Sequence, residues 1–190
     1  MNQPVLFPQK EKWNSAQFFI NASNYIPLTA PQRMTLTSAG TLTTALHTLL
    51  RSALHIEVIR QNLVEGDRSL VQFLELNEIE KGLSREIWIL NQKNEKLVYA
   101  SSFIPISGLD PLLYDALISR KHSIGDLIET MNFPSLKDKI GFGRIESNSL
   151  SEAFNSSFDS PLWYRHFRLL SPGHLRASIY EAFSPRIFEV

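Results

Sequence analysis

Residues 162–183 read LWYRHFRLL, then SPGH, then LRASIYEAF. Two aromatic and aliphatic runs flank Ser171-Pro172-Gly173-His174, the residues of a tight turn, so this segment predicts a β-hairpin. A second hairpin lies upstream. Ser84 to Leu90 and Lys96 to Ile104 are strand-like, Gln92-Lys93-Asn94-Glu95 joins them, and Pro105 ends the second strand. His55 to Leu63 alternates with Ile56 and Val58 on one face, and Lys139 to Glu146 reads as a further strand.

Helical signals gather at the start and the middle. Gln32 to Ser38 and Thr41 to Arg51 form two helical pieces broken at Gly40, and Leu42, Leu46, Leu49 and Leu50 make an apolar stripe on the second. Asp110-Pro111 opens a helix that runs to about Arg120, and Ser123 caps another from Ile124 to about Met131. Ser147 to Asp159, rich in Ser and Asn, is a loop or a short helix. Residues 1–30, with Pro4, Pro8 and Pro27 as breakers, form an irregular extension, and Pro31 suits a first helical turn. Hairpin-linked strands with clustered helices predict an α+β fold with an antiparallel sheet of about six strands. At 190 residues the chain is expected to be a single domain.

Charge and composition narrow the function. Lys and Arg number 19 and Asp and Glu number 19, so the formal net charge is zero. That balance argues against a nucleic-acid partner, which calls for a basic excess. With no cysteine, disulfides, thiolate nucleophiles and cysteine-ligated metals are excluded. No apolar run reaches the roughly 20 residues of a membrane span. Met1 to Trp13 lacks the apolar core of a signal peptide, so the expectation is a cytoplasmic protein without a membrane partner. The five histidines have no metal-site spacing, the serines show no GxSxG elbow, and Gly141-Phe142-Gly143 lacks the third glycine of a nucleotide fingerprint. No metal is expected.

Alternation exposes four charged residues on apolar faces. Glu181 shares a face with Ala177, Ile179 and Phe183, and Arg85 with Ile87 and Ile89. Arg165 shares one with Trp163, Phe167 and Leu169, and Arg60 follows Ile56 and Val58. A buried charge costs several kcal/mol unless it is paired. Three arginines against one glutamate leave positive charge that a small carboxylate ligand would satisfy, since the guanidinium fork matches a carboxylate. A glutamate among apolar residues is also a candidate acid or base. The plainer alternative is a set of structural ion pairs, such as Arg85 with Glu86 or Glu181.

Five segments in order resemble the chorismate pyruvate-lyase family. They are Ser84-Arg85-Glu86-Ile87-Trp88-Ile89-Leu90, Ser101-Ser102-Phe103-Ile104-Pro105-Ile106-Ser107, Lys121-His122-Ser123-Ile124-Gly125-Asp126-Leu127, Leu162-Trp163-Tyr164-Arg165, and Ile179-Tyr180-Glu181-Ala182-Phe183. The resemblance runs from about Thr41 to Pro185 and fits a divergent branch outside the proteobacterial ubiquinone enzymes. It implies one α+β domain whose antiparallel sheet carries an internal cavity under helical flaps. It implies conversion of chorismate to 4-hydroxybenzoate and pyruvate without a cofactor, in quinone or other phenolic biosynthesis. Carried over by position, Arg85 holds the ring carboxylate and Glu181 contacts the ring 4-hydroxyl. Main-chain amides at Leu42 and Ile124 supply further contacts. Arg60 and Arg165 are open between binding the second carboxylate and a structural role. Regulator effector domains of the same fold, which bind small ligands without chemistry, are the rival class.

Overall fold

The computed structural model describes residues 14–15, 28–157 and 162–189. Its centre is an antiparallel sheet. The strands are β1 (Asn14–Ser15), β2 (Leu54–Glu65), β3 (Lys81–Asn91), β4 (Lys96–Pro105), β5 (Leu136–Ile145), β6 (Leu162–Ser171) and β7 (Leu175–Phe183), in the order β1-β5-β6-β7-β4-β3-β2. The six expected strands are all present. The two-residue β1 comes from the extension read as irregular and pairs with Phe142 and Gly141. The remaining expectations for residues 1–27, and positions 158–161 of the Ser147–Asp159 segment, lie outside the described residues.

The two hairpins form as their turns require. His174 N–H donates to the Ser171 carbonyl at 2.9 Å. Pro172 and Gly173, the latter with φ of 77°, take the two central positions, the type II pattern in which glycine supplies the positive φ. Pairing of β7 with β4, Glu181 opposite Ala100, joins this hairpin to the β3–β4 hairpin.

Among the described residues six α-helices flank the sheet: α1 (Ala30–Thr37), α2 (Leu42–Leu50), α3 (Arg68–Leu74), α4 (Pro111–Ile118), α5 (Ile124–Thr130) and α6 (Asn148–Ala153). The predicted caps hold. Asp110 accepts from the Leu112 and Leu113 amides at the start of α4, and Ser123 accepts from Asp126 N–H at the start of α5. Thr29 and Gln32 close a reciprocal capping box on α1. Helices α1, α2, α4 and α5 cover one face through Leu36, Leu42, Leu46, Leu113, Leu117, Leu127 and Ile128. Helix α6 packs on the other face against Trp88, Tyr99 and Tyr164. Helix α3, which the sequence analysis did not anticipate, lies on that face too. Arg176 donates to its terminal Leu74 and Glu75 carbonyls, and Arg168 pairs with Glu75 at 2.6 Å. Among the described residues no helix is long and apolar enough to cross a membrane.

One register detail corrects the alternation reading of β2. Val58 lies opposite Ile87, but a bulge follows, and Arg60 then lies opposite Glu86 and Gln61 opposite Arg85. An extra residue in one strand inverts which face every later side chain takes. Arg60 therefore leaves the face of Ile56 and Val58. Its side chain is 42% exposed and approaches Glu86 at 3.9 Å. The neutral Gln61 takes the place beside Arg85.

On the face away from α1 and α2, His166 is stacked between Phe73 at 3.9 Å and Tyr180 at 3.6 Å, with Nε2 2.8 Å from the Ser178 hydroxyl. Burial holds its pKa down to about 3, against an ordinary 6.5. Below 6.5 the unfolded chain takes up a proton that the folded chain refuses. Stability is thus complete above that pH and falls as pH drops toward 3, by up to about 1.4 kcal/mol per pH unit. Denaturant midpoints between pH 6.5 and 4 should fall for the native protein, with a shallower slope for His166→Gln.

Candidate ligand cavity

Between the sheet and its helical cover lies a cavity of about 150 Å³. An engineered apolar cavity of about that size accepts one benzene ring. Its floor crosses five strands: Arg85, Ile87 and Ile89 from β3, Ala100 and Ser102 from β4, Ile179 and Glu181 from β7, Phe167 and Leu169 from β6, and Lys137 from β5. Its roof is Ala39 to Thr43, entering α2, and Ser123 to Gly125, entering α5. The two covers touch: Thr43 Oγ1 donates to Asp126 Oδ1 at 2.7 Å, and Thr44 Oγ1 to Glu129 Oε2 at 3.3 Å.

Arg85 is 2% exposed. Its Nε donates to Gln61 Oε1 at 2.9 Å and its Nη2 to the His122 carbonyl at 2.6 Å. Both acceptors are neutral, and among the described residues Arg85 has no ion-pair partner. The alternative pairing with Glu86 or Glu181 is not what forms. Burial, with Arg120 nearby and against the pull of Asp126, brings the guanidinium down to about 10. Arg85 is thus a buried cation whose partners carry no compensating charge.

Glu181 is 7% exposed and faces the same cavity. Arg165 Nε donates to its Oε2 at 2.5 Å. The other carboxylate oxygen has no hydrogen-bond partner among the described residues. Arg165 is fully buried. Its Nη1 donates to the Thr35 carbonyl at 2.7 Å and the Ser38 carbonyl at 3.1 Å, while Nη2 is buried without a partner. Arg165 thereby ties Glu181 to the end of α1. It does not line the cavity, and neither does Arg60. Leu42 and Ile124 do, each as the first residue of its helix. A first-turn amide has no partner within its own helix, so both N–H groups are available to a ligand.

Lys137 escaped the sequence analysis. It lies ahead of the predicted start of β5, and strict alternation would set it on the face away from Phe142; the register shift between Asp138 and Gly141 brings it onto that face. Its Nζ donates to the Gly40 carbonyl of the cover and lies 4.9 Å from the Phe167 ring. Ser102 and Gln61, neutral polar residues in strands, also carried no signal of their own. Among the described residues no three His, Asp or Glu side chains converge as metal ligands.

Sheet, cover and charged cavity define a ligand-enclosing α+β domain of the chorismate lyase-like fold. Residues 36–190 match the family described as Chorismate pyruvate-lyase Rv2949c-like, and the chain belongs to that family. No curated protein matches the chain in sequence. Solved structures share the fold at low identity. The effector domain of PhnF from Mycobacterium smegmatis is 10% identical with a TM-score of 0.59, over 77% of this chain and 90% of that one. The gene product SA0254 from Staphylococcus aureus is 18% identical with a TM-score of 0.60, over 78% and 90%. The C-terminal domain of the histidine utilization repressor from Pseudomonas syringae is 9% identical with a TM-score of 0.55, over 70% and 92%.

Removing one member of a buried ion pair leaves the other uncompensated, at a cost of about 3–5 kcal/mol. Glu181→Leu and Arg165→Met should each lower the denaturation midpoint strongly. The double variant Arg165→Met/Glu181→Leu should lose less than either, which a double-mutant cycle by chemical denaturation checks.

Proposed function

We propose that this protein is a chorismate pyruvate-lyase, releasing pyruvate from chorismate and leaving 4-hydroxybenzoate. The observation that carries this reading is the buried, unpaired Arg85 lining one small cavity with the ion-paired Glu181. A single-ring acid suits that volume and that charge. Membership of the family supports this reaction, and the resemblance read from the sequence assigns Arg85 to the ring carboxylate and Glu181 to the 4-hydroxyl. Main-chain amides of Leu42 and Ile124 complete the ligand contacts.

Chorismate carries two carboxylates, an enolpyruvyl ether on C3 and a hydroxyl on C4. Loss of the C4 hydrogen and rupture of the bond from C3 to the ether oxygen make the ring aromatic. The departing enolate takes up a proton at its methylene carbon to become pyruvate, so the atoms balance between one substrate and two products. Aromatisation supplies the driving force. The protein has to hold the ring in a reactive conformation, neutralise its charge and exclude water. Arg85 anchors one end of the ring. Glu181, with Oε2 engaged by Arg165, offers its other oxygen to the C4 hydroxyl or the departing proton. The product fits quinone or other phenolic biosynthesis.

The test is to mix the purified protein with chorismate and follow 4-hydroxybenzoate and pyruvate together. Equal yields of both are expected. Glu181→Gln, which keeps an acceptor for Arg165, should lower kcat about 100-fold if the carboxylate moves a proton. Arg85→Gln should raise KM about 100-fold, as expected when one side of a buried charged contact is lost. Wild-type kcat/KM in either variant would refute its role. The effector-domain neighbours favour a second reading, a binding module. Saturable 4-hydroxybenzoate binding with no turnover would select it. The Thr43–Asp126 bond joins the two covers over the cavity, so product release should be slow. Thr43→Val should raise the inhibition constant for 4-hydroxybenzoate several-fold in progress-curve analysis.

A further inference from the structure

The cavity holds more positive charge than one carboxylate can balance. Arg165 and Glu181 neutralise each other at 2.5 Å. Arg85 is left at one end, on β3, and Lys137 at the other, on β5. In the sheet order these strands are separated by β6, β7 and β4, so Glu181 on β7 lies between the two cations. The cavity thus presents a cation, a carboxylate and a second cation in that order across the strands. Lys137 Nζ has three donors, and among the described residues its one hydrogen-bond acceptor is the Gly40 carbonyl. Lys137 forms no ion pair within 4 Å there.

We infer that Lys137 is the second anion anchor of the cavity, binding the carboxylate of the enolpyruvyl side chain while Arg85 binds the ring carboxylate. This rests on the lyase reading and extends it by making the site selective for a dianion. Burial, and then the charge of Arg165, bring the Lys137 ammonium down to about 8 against a pull upward from Glu181, the condition of a cation short of its counter-ion. The placement has a chemical consequence. After the ether bond breaks, the carboxylate that Lys137 holds belongs to the departing pyruvate, so Lys137 stabilises the leaving group and then has no part in retaining the aromatic product. Its bond to Gly40, in the cover, also places it where the roof meets the floor.

The test separates the two carboxylates. Lys137→Met, with Lys137→Gln and Lys137→Arg beside it, is assayed for chorismate turnover and for 4-hydroxybenzoate binding by calorimetry, after thermal melting establishes that each folds. Lys137→Met and Lys137→Gln should raise KM for chorismate at least 30-fold and change the Kd of 4-hydroxybenzoate less than threefold, and Lys137→Arg should recover part of the loss. Arg85→Gln should weaken both ligands. Unchanged KM in Lys137→Met, or equal weakening of both ligands, overturns the assignment. If the wild-type protein leaves chorismate intact, the lyase reading fails on its own. Lys137 is then judged by isophthalate against benzoate. A wild-type preference for the dianion that Lys137→Met abolishes upholds the second anchor, and no preference overturns it.

Discussion

The guanidinium of Arg165 ties the cover to the floor of this molecule. It is fully buried, and its hydrogen bonds run in two directions: Nε to the Glu181 carboxylate on the neighbouring strand, and Nη1 to the Thr35 and Ser38 carbonyls where α1 ends. The Thr35 to Thr41 connection is thereby held over the sheet, and α2 starts at the rim of the cavity. A charge of this kind is tolerated in an interior only when its partners are in place, so the ion pair and the carbonyls that surround it stand or fall together.

Given that anchor, the cavity follows from an unequal division of partners. Glu181 has an arginine of its own. Arg85 has a glutamine and a main-chain carbonyl, and Lys137 has a main-chain carbonyl. A cavity with two cations whose acceptors are neutral is what the proposed anionic substrate would fill. The apolar remainder of the lining, Ile87, Ile89, Phe167, Leu169 and Ile179, suits the body of a ring. Relatives of this fold among regulator effector domains show that the architecture serves more than one end. On the proposed reading the side chains on the floor act and the sheet is their scaffold.

Much of this was legible in the chain itself. The two hairpins announced themselves through Ser171-Pro172-Gly173-His174 and the Gln92–Glu95 link, and the caps Asp110 and Ser123 marked their helices, because turn and cap chemistry is local. Arg85 and Glu181 stood out as charges among aliphatic neighbours at the strand period. What local chemistry does not encode is a bulge. Arg60 was read on the wrong face because one inserted residue inverts the parity of β2, and Lys137 was hidden by a similar shift in β5. Helix α3 has a local cap signal of its own in Asp67, which went unread, and side-chain donors of distant strands, Arg168 and Arg176, hold the helix in place.

The sequence alone determined the class of fold and drew attention to the two charged residues on which the proposed chemistry turns, since alternation, turns and caps depend on neighbours a few positions apart. Only the tertiary structure decided which charge meets which. Arg165 and Glu181 sit on adjacent strands 16 positions apart, whereas Arg85 and Lys137 reach the same cavity from strands with three others between them. Ion pairing is a matter of distances below about 4 Å, and such distances are set by sheet order and register, to which no short stretch of chain has access.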